Sequence, residues 1–468
     1  MPIQRRLPAL KYVFFFLIFS LMTLPPLTYM QTHPAPSLAA TSDPQLWAVM
    51  VGVTEYRCEG CILDEAWNKY PVGIKYPDDD ARDLAAQLSP IAGEDHIKLV
   101  LNDQATNTGI YYGIKWLAEK SGPKDTAVFY FSGHSAPHYF GSYDYLVSDQ
   151  QMAEWLDTID SQQVVVILDT CFAGSFTREL GRNGRVLLMS CQPFEGALED
   201  REFKNGVFTN YILQALSNFS SSDINGDYEL SAEEIFDYAS PRTIDEVVAP
   251  FANLPAFSSG NIQHPQLHLP PDKFNEFNLF MKATINSDAA RDSKSTVLSI
   301  DGKAYLPSEL PISFIWLSGT SHRFEAAGQV NVSDGTRLTF AEWSDGDESP
   351  SKIISRGGDY TARYNTQHEL SIESDYGNPQ GSSWYNAGSN AAVSIEPVCE
   401  GIIRHTFTGW DGETNSQEAT TTVNMDKSKI ITANWHNDYL RLYLLIGAVV
   451  VASGGIVAGI KIRRRNTL

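Results

Sequence analysis

The chain has 468 residues, too many for a single core of about 100 to 200 residues, so it holds more than one domain. Apolar residues make up 43% and charged residues 19%, with 23 Phe, 21 Tyr and 9 Trp, a balance that fills a core and argues against a disordered chain. Against 35 Lys and Arg stand 56 Asp and Glu, and a net charge of −21 repels phosphate backbones, which argues against nucleic acid as a partner.

Arg5, Arg6 and Lys11 precede an apolar run over 12–24, followed by Pro25-Pro26 and a polar stretch that reaches the small residues Ala39 and Ala40. A basic flank, a short apolar stretch and a small-residue site predict a signal peptide over residues 1–40. The apolar run is shorter than the roughly 20 residues a bilayer needs, which favours removal over anchoring. Export permits disulfides, and Cys58 and Cys61 are spaced to close a small loop. With Cys171, Cys191 and Cys399 the cysteines number five, too few for a disulfide scaffold, and the odd count leaves a thiol free or intermolecular.

From residue 46 to about 270, apolar β-branched runs alternate with helical stretches. The runs predict strands at 47–53, 97–102, 127–131, 164–168, 186–190 and 266–269, and the stretches predict helices at 80–88, 108–120, 153–159, 207–217 and 232–238. This is an α/β pattern, a mostly parallel sheet flanked by helices. Two strand ends carry chemistry: one runs into Ser132-Gly133-His134, the next into Asp169-Thr170-Cys171-Phe172-Ala173-Gly174. Ligands bind outside the carboxyl ends of such strands, so a thiol and an imidazole arrive at one edge. A cysteine attacks as the thiolate, and a neighbouring His exchanges its proton near neutral pH. Alone, Cys171 reads as a core thiol and His134 as a loop histidine; the pairing reverses both readings.

These two motifs resemble the His and Cys motifs of the caspase-like cysteine peptidases, closest to metacaspases and their bacterial and archaeal relatives, and the match extends over about 220 residues. The resemblance implies Cys171 as nucleophile, His134 as proton donor to the leaving amine, and an oxyanion hole from the backbone amides of Cys171 and Ser135. Many relatives have Gly where Ser135 stands; if that amide requires positive φ, Ser135 is strained. Metacaspases have Asp two residues before the nucleophile, here Asp169. With Asp80 at the position of a second pocket acid, this implies cleavage after Arg or Lys. Asp80 also reads as part of an acidic helix start, Pro77-Asp78-Asp79-Asp80. The further acid of many metacaspases falls on Pro193, with Glu195 out of step, so a less charged pocket is expected. Cys191 reads as structural. Between Gly174 and Arg185 there is no long linker, and Arg182 and Arg185 are open as self-cleavage points or as solvated cations.

Residues 223–234 are similar to an EF-hand loop, with Asp223, Asn225, Asp227, Glu229 and Glu234 as candidate ligands of a structural or regulatory Ca2+. Tyr228 stands where that loop prefers Gly. The alternative is an acidic turn capping the next helix.

From about 272 to 437 helical periodicity gives way to short alternating runs, a β pattern. Phe340-Ala341-Glu342-Trp343-Ser344-Asp345-Gly346 repeats as Phe407-Thr408-Gly409-Trp410-Asp411-Gly412, each followed by a strand ending in Ala-x-aromatic. The repeat resembles internalin-type B repeats. The uncharged run 442–460, followed by Lys461, Arg463, Arg464 and Arg465, predicts a membrane helix with a cytoplasmic stub.

The predicted organisation is a signal peptide at 1–40, a caspase-like peptidase domain at 41–271, β modules at 272–366 and 367–437, a transmembrane helix at 440–460 and a cytoplasmic tail at 461–468. The whole reads as a membrane-tethered cysteine endopeptidase with its catalytic domain outside the cytoplasm, acting on protein or peptide substrates. Rival readings are a Cys-His hydrolase of non-peptide amides and a catalytically silent surface binding or adhesion protein.

Overall fold

The structure, a computed structural model, describes residues 43–57, 74–182, 184–248, 263–270, 276–291 and 293–465, with the side chains of the final helix described through Ser453. The predicted signal peptide, Cys58 and Cys61 lie outside the described residues. In chain order the first half runs β1 (Leu46–Gly52), α1 (Pro77–Ala92), β2 (Ile97–Leu101), α2 (Asn107–Lys120), β3 (Thr126–Ser132), α3 (Asp149–Leu156), β4 (Gln163–Asp169), β5 (Val186–Met189), α4 (Val207–Ser217), β6 (Glu229–Ser231), α5 (Ala232–Val248) and β7 (Gln266–His268).

The continuous apolar runs become strands covered on both faces, as in β3, where all seven residues are buried. Alternate side chains feed two cores. Met50, Tyr130 and Ile167 meet Leu84 of α1, Phe208 of α4 and Ile235 of α5 on one face; Val51, Phe131 and Leu168 meet Ile114 of α2 and Met152 of α3 on the other. Thr106 and Ser148 cap α2 and α3 by accepting the amides of Gly109 and Gln151. The sheet order is β7-β5-β4-β3-β1-β2. Five strands are parallel and the edge strand β7 runs antiparallel to β5. Parallel register sets Gly52 beside Ser132 and Ser132 beside Asp169, so their loops leave the sheet at one edge.

The second half contains β8 (Asn278–Ser287), β9 (Ile312–Leu317), β10 (Thr336–Trp343), β11 (Gly358–Ser374), β12 (Arg404–Gly412) and β13 (Lys429–Asp438), followed by α6 (Leu440–Arg465). The two F-x-x-W segments have the same local geometry. Phe340 pairs with Tyr364 and Trp343 with Ala362 across a bulge; Phe407 pairs with Trp435 and Trp410 with Ala433 across another. Each buried indole donates Nε1–H to a backbone carbonyl, of Ser349 and Glu418 respectively, at 3.0 Å. The long strand β11 pairs in parallel with β8 at one end and β13 at the other. The predicted membrane run falls on α6, whose side chains past Ser453 are outside the described residues; among the described residues no helix is long and apolar enough to cross a membrane.

The two halves share a sheet and a core across residue 271. Strand β6 pairs antiparallel with β8, Leu230 opposite Phe280. Phe277, Leu279, Phe280 and Leu317 pack in the cluster that contains Leu88, Leu216, Phe219 and Leu230. Removing a buried phenyl ring costs about 3–5 kcal/mol. Phe280→Ala is therefore expected to lower the melting temperature of both halves together in a single calorimetric transition. Two transitions, with the α/β half unmoved, would contradict a shared core.

Candidate active site

The loops at the shared sheet edge form a cleft lined by Asp80, Ser132, Gly133, His134, Asp169, Thr170, Cys171, Ala197, Leu198, Glu199 and Gly206, among others. Cys171 follows β4 and His134 follows β3, so neighbouring parallel strands deliver the thiol and the imidazole to one cavity. Tyr56, on the loop after β1, holds the histidine segment: the His134 amide donates to Tyr56 Oη at 2.7 Å and the two rings lie 5.3 Å apart. A Cβ on Gly133 would stand 2.7 Å from that hydroxyl, so this close approach requires glycine.

Ser135 begins a short extended strand paired with Phe140 and is not among the residues with positive φ, so the expected strain does not arise. Gly141 N–H donates to His134 O, which makes Ser135–Phe140 the non-hydrogen-bonded pair and turns the Ser135 amide out of the hairpin. The Ser135 hydroxyl does what glycine cannot: it donates to the Cys171 carbonyl and accepts from Thr170 Oγ1. It thereby ties the histidine loop to the cysteine loop. Strain sits instead at Phe172, directly after Cys171, with φ of 56°; its amide donates to Glu195 O at 2.7 Å.

The cleft floor is two buried carboxylates. Asp80, in the first turn of α1, accepts from Ser132 Oγ and from Gly206 N, each at 2.8 Å. Asp169 accepts from the amide and hydroxyl of Thr209 at 3.0 and 2.7 Å. Gly206 and Thr209 belong to the N-terminus of α4, where unpaired amides and the helix dipole favour negative charge. Burial and the neighbouring Asp169 charge push Asp80 well above the usual carboxylate range. Burial pushes Asp169 up to about 6 against the lowering effect of Thr209. Burial also raises the Cys171 thiol, although a backbone hydrogen bond at Ala197 works in the opposite direction; in the neutral form Sγ–H points to the Ala197 carbonyl at 4.0 Å. The thiol therefore rests protonated and needs a base to attack.

Residues 46–267 match the family model described as the caspase domain. They form a caspase-like α/β domain. The match supports a cysteine peptidase, whose substrates are proteins or peptides. The crystal structure of protein GSU0716 from Geobacter sulfurreducens is similar over 48% of this chain and 92% of its own, at 14% identity and a TM-score of 0.34, too distant to say anything of activity. No curated protein matches the chain.

The caspase-like domain brings His134, Cys171, Asp169 and Asp80 together. Tyr56 and Glu199 carry no local sequence signal and reach the cleft through tertiary contacts alone. Glu199 also lines the cleft, a carboxylate beside the two that the sequence places there. Glu195 instead turns away and binds the ring and amide of His264 at 2.7 and 2.8 Å. Cys191 is fully buried, its thiol pushed up to about 12 by burial, in keeping with a structural role. Arg185 is 1% exposed and paired with Asp157, which removes it as a cleavage point in the folded protein.

The candidate calcium residues lie away from the cleft, beside β8. Glu234 accepts from the amides of Ile224, Asn225 and Ser231 and from Ser231 Oγ, while the Glu234 amide donates back to Ser231 Oγ, a capping box for α5. Asp223 accepts the amides of Gly226, Asp227 and Tyr228. Glu229 is bonded by Ser318 of the β half. Tyr228, with φ of 66°, makes the turn that glycine makes in calcium loops. These carboxylates accept backbone amides, and among the described residues no group of three or more His, Cys, Asp and Glu is placed to hold a metal ion.

The Ser135 tie has a direct test. Ser135→Gly keeps the amide and removes the hydroxyl, and is expected to lower kcat on peptide substrates about tenfold, the equivalent of one hydrogen bond of roughly 1.4 kcal/mol, with KM little changed. Unchanged kcat would contradict a positioning role.

Proposed function

We propose that the chain is a cysteine endopeptidase that cleaves after Arg or Lys, using Cys171 and His134. The observation that carries the reading is the joint lining of one cleft by His134, Cys171 and the buried pair Asp80 and Asp169. In the proposed reaction His134 takes the thiol proton as Cys171 Sγ bonds to the scissile carbonyl carbon. The oxyanion is met by the amides of Cys171 and Ser135. His134 then passes the proton to the leaving amine nitrogen as the C–N bond breaks, leaving a thioester that water hydrolyses with His134 again accepting a proton. The acid pair supplies charge-assisted hydrogen bonds to a guanidinium or ammonium in the pocket. No step involves calcium.

The β half, read as two modules, presents the catalytic domain on the outer face of a membrane, with α6 as the anchor. Exposed Tyr443, Leu444, Leu445, Ile446, Val449, Val450 and Val451 support that assignment. Partition of the intact chain with membranes tests it; recovery in the soluble fraction would contradict it.

Cleavage-site profiling on a peptide library tests the reaction. Wild type is expected to cut after Arg and Lys, Cys171→Ala and His134→Ala to lose activity while keeping their melting temperature, and Cys191→Ala to retain activity if it folds. Activity in Cys171→Ala, or preferred cutting after Asp, would overturn the reading.

A further inference from the structure

We propose that Glu195, fastened by His264, is a positioning residue: it fixes the chain at Cys171 and with it the amide that meets the oxyanion. This rests on the reading of Cys171 as the nucleophile of a cysteine peptidase.

The peptide groups on both sides of Cys171 are held from one turn, residues 190–195. Thr170 O accepts from Ser190 Oγ at 3.1 Å. A trans peptide points its N–H opposite to its C=O, so this bond directs the Cys171 amide away from the turn. On the other side, Cys171 O accepts from Ser135 Oγ, and the Phe172 amide donates to Glu195 O at 2.7 Å. Phe172 has φ of 56°, a conformation that a bulky residue keeps only where its surroundings over-determine it. The turn also packs against the nucleophile loop. The Gly174 amide donates to Cys191 O at 2.9 Å, a Cβ on Gly174 would stand 2.7 Å from Pro193 Cδ, and one on Gly196 would stand 3.7 Å from Cys171 Sγ.

Glu195 closes this turn. Its amide donates to Gln192 O and its carboxylate accepts the Gln192 amide, both at 3.1 Å. The residue is 4% exposed and does not line the cleft, so it acts through the backbone it holds. The fastening comes from just before β7. There the His264 amide donates to Glu195 Oε2 at 2.8 Å, and ring Nδ1–H donates to Oε1 at 2.7 Å, since an ionised carboxylate only accepts. Beside it, Gln263 Oε1 accepts the amide of Leu198, a residue of the cleft lining, at 2.9 Å. Strand β7 pairs with β5, and β5 leads into the turn, so the turn is strung between two strand ends.

A buried carboxylate with three donors could serve the fold alone, and the two roles separate by reaction. Alkylation of Cys171 by iodoacetamide forms an S–C bond as iodide leaves and develops no oxyanion, whereas peptide hydrolysis does. The experiment measures kcat and KM on an Arg peptide, and the alkylation rate of Cys171, in the full chain. Glu195→Gln and His264→Ala are each expected to lower kcat roughly tenfold, less than the hundredfold or more lost when an oxyanion donor is removed outright. KM and the alkylation rate are expected to stay within about twofold, as for an interaction realised only in the transition state. His264→Asn, whose Nδ2–H stands in for Nδ1–H, is expected to recover most of the loss, a rescue that does not depend on how Glu195→Gln folds. An alkylation rate that falls in step with kcat would overturn the proposal, as would a His264→Asn no better than His264→Ala. If Cys171→Ala hydrolyses the peptide as wild type does, the cysteine-peptidase reading falls and this inference with it; Cys171-dependent hydrolysis untouched by Glu195→Gln and His264→Ala overturns the inference alone.

Discussion

Two carboxylates buried at the carboxyl edge of a parallel sheet are the constraint around which the rest of the catalytic half is arranged. Unit charges 4 Å apart repel by about 4 kcal/mol at an effective dielectric of 20, so Asp80 and Asp169 persist only because other groups hold them. The start of α4 supplies the Gly206 and Thr209 amides, β3 supplies Ser132, and Tyr130 beneath them bonds the Thr209 hydroxyl at 2.7 Å. Even so, burial leaves Asp169 near 6. A carboxylate such as Asp169, held this close to its ionisation point, is suited to the proposed role of meeting a cation that arrives with the substrate and leaves with the product.

The same arrangement explains why the β half is bound to the catalytic half by more than a linker. Helix α4 carries the amides of the floor and packs in one core with α5 and β6, and that core extends into Phe277, Leu279 and Phe280. Segment 223–231 is the joint: Tyr228 O accepts the Lys282 amide, and Tyr228 Oη donates to Asp359 of β11. Load or ligand on the β strands is thereby connected, through continuous packing, to the helix that neutralises the pocket.

Much of this was legible in the sequence because the signals were local. Runs such as Val164-Val165-Val166-Ile167-Leu168 admit few structures other than a strand covered on both faces, and His134 and Cys171 announced themselves by standing just past two of them. Tyr56 and Glu199 were illegible for the opposite reason: Tyr56 meets His134 from 78 positions away, and Glu199 reaches the cleft by facing a glycine. The acidic loop at 223–234 is open to two readings because two structures share one pattern. Ser231-x-x-Glu234 serves equally as the end of a calcium loop and as a capping box, and only the direction of the carboxylates, toward amides, separates them. Ser135 misled, since a rule about glycine at positive φ does not apply to a residue that is extended.

The central claim is that a basic substrate side chain binds an ionised acid pair whose charge is suppressed in the empty cleft. A raised carboxyl pKa means that the free protein holds the proton to higher pH, so Asp169 gains its charge only as pH rises through about 6. The most direct measurement is KM for an Arg peptide from pH 5 to 8 in wild type and Asp169→Asn. The account predicts that KM falls as pH rises through 6 in wild type and that this dependence is flattened in the variant. A wild-type KM that is flat, or that rises, across that interval would contradict it.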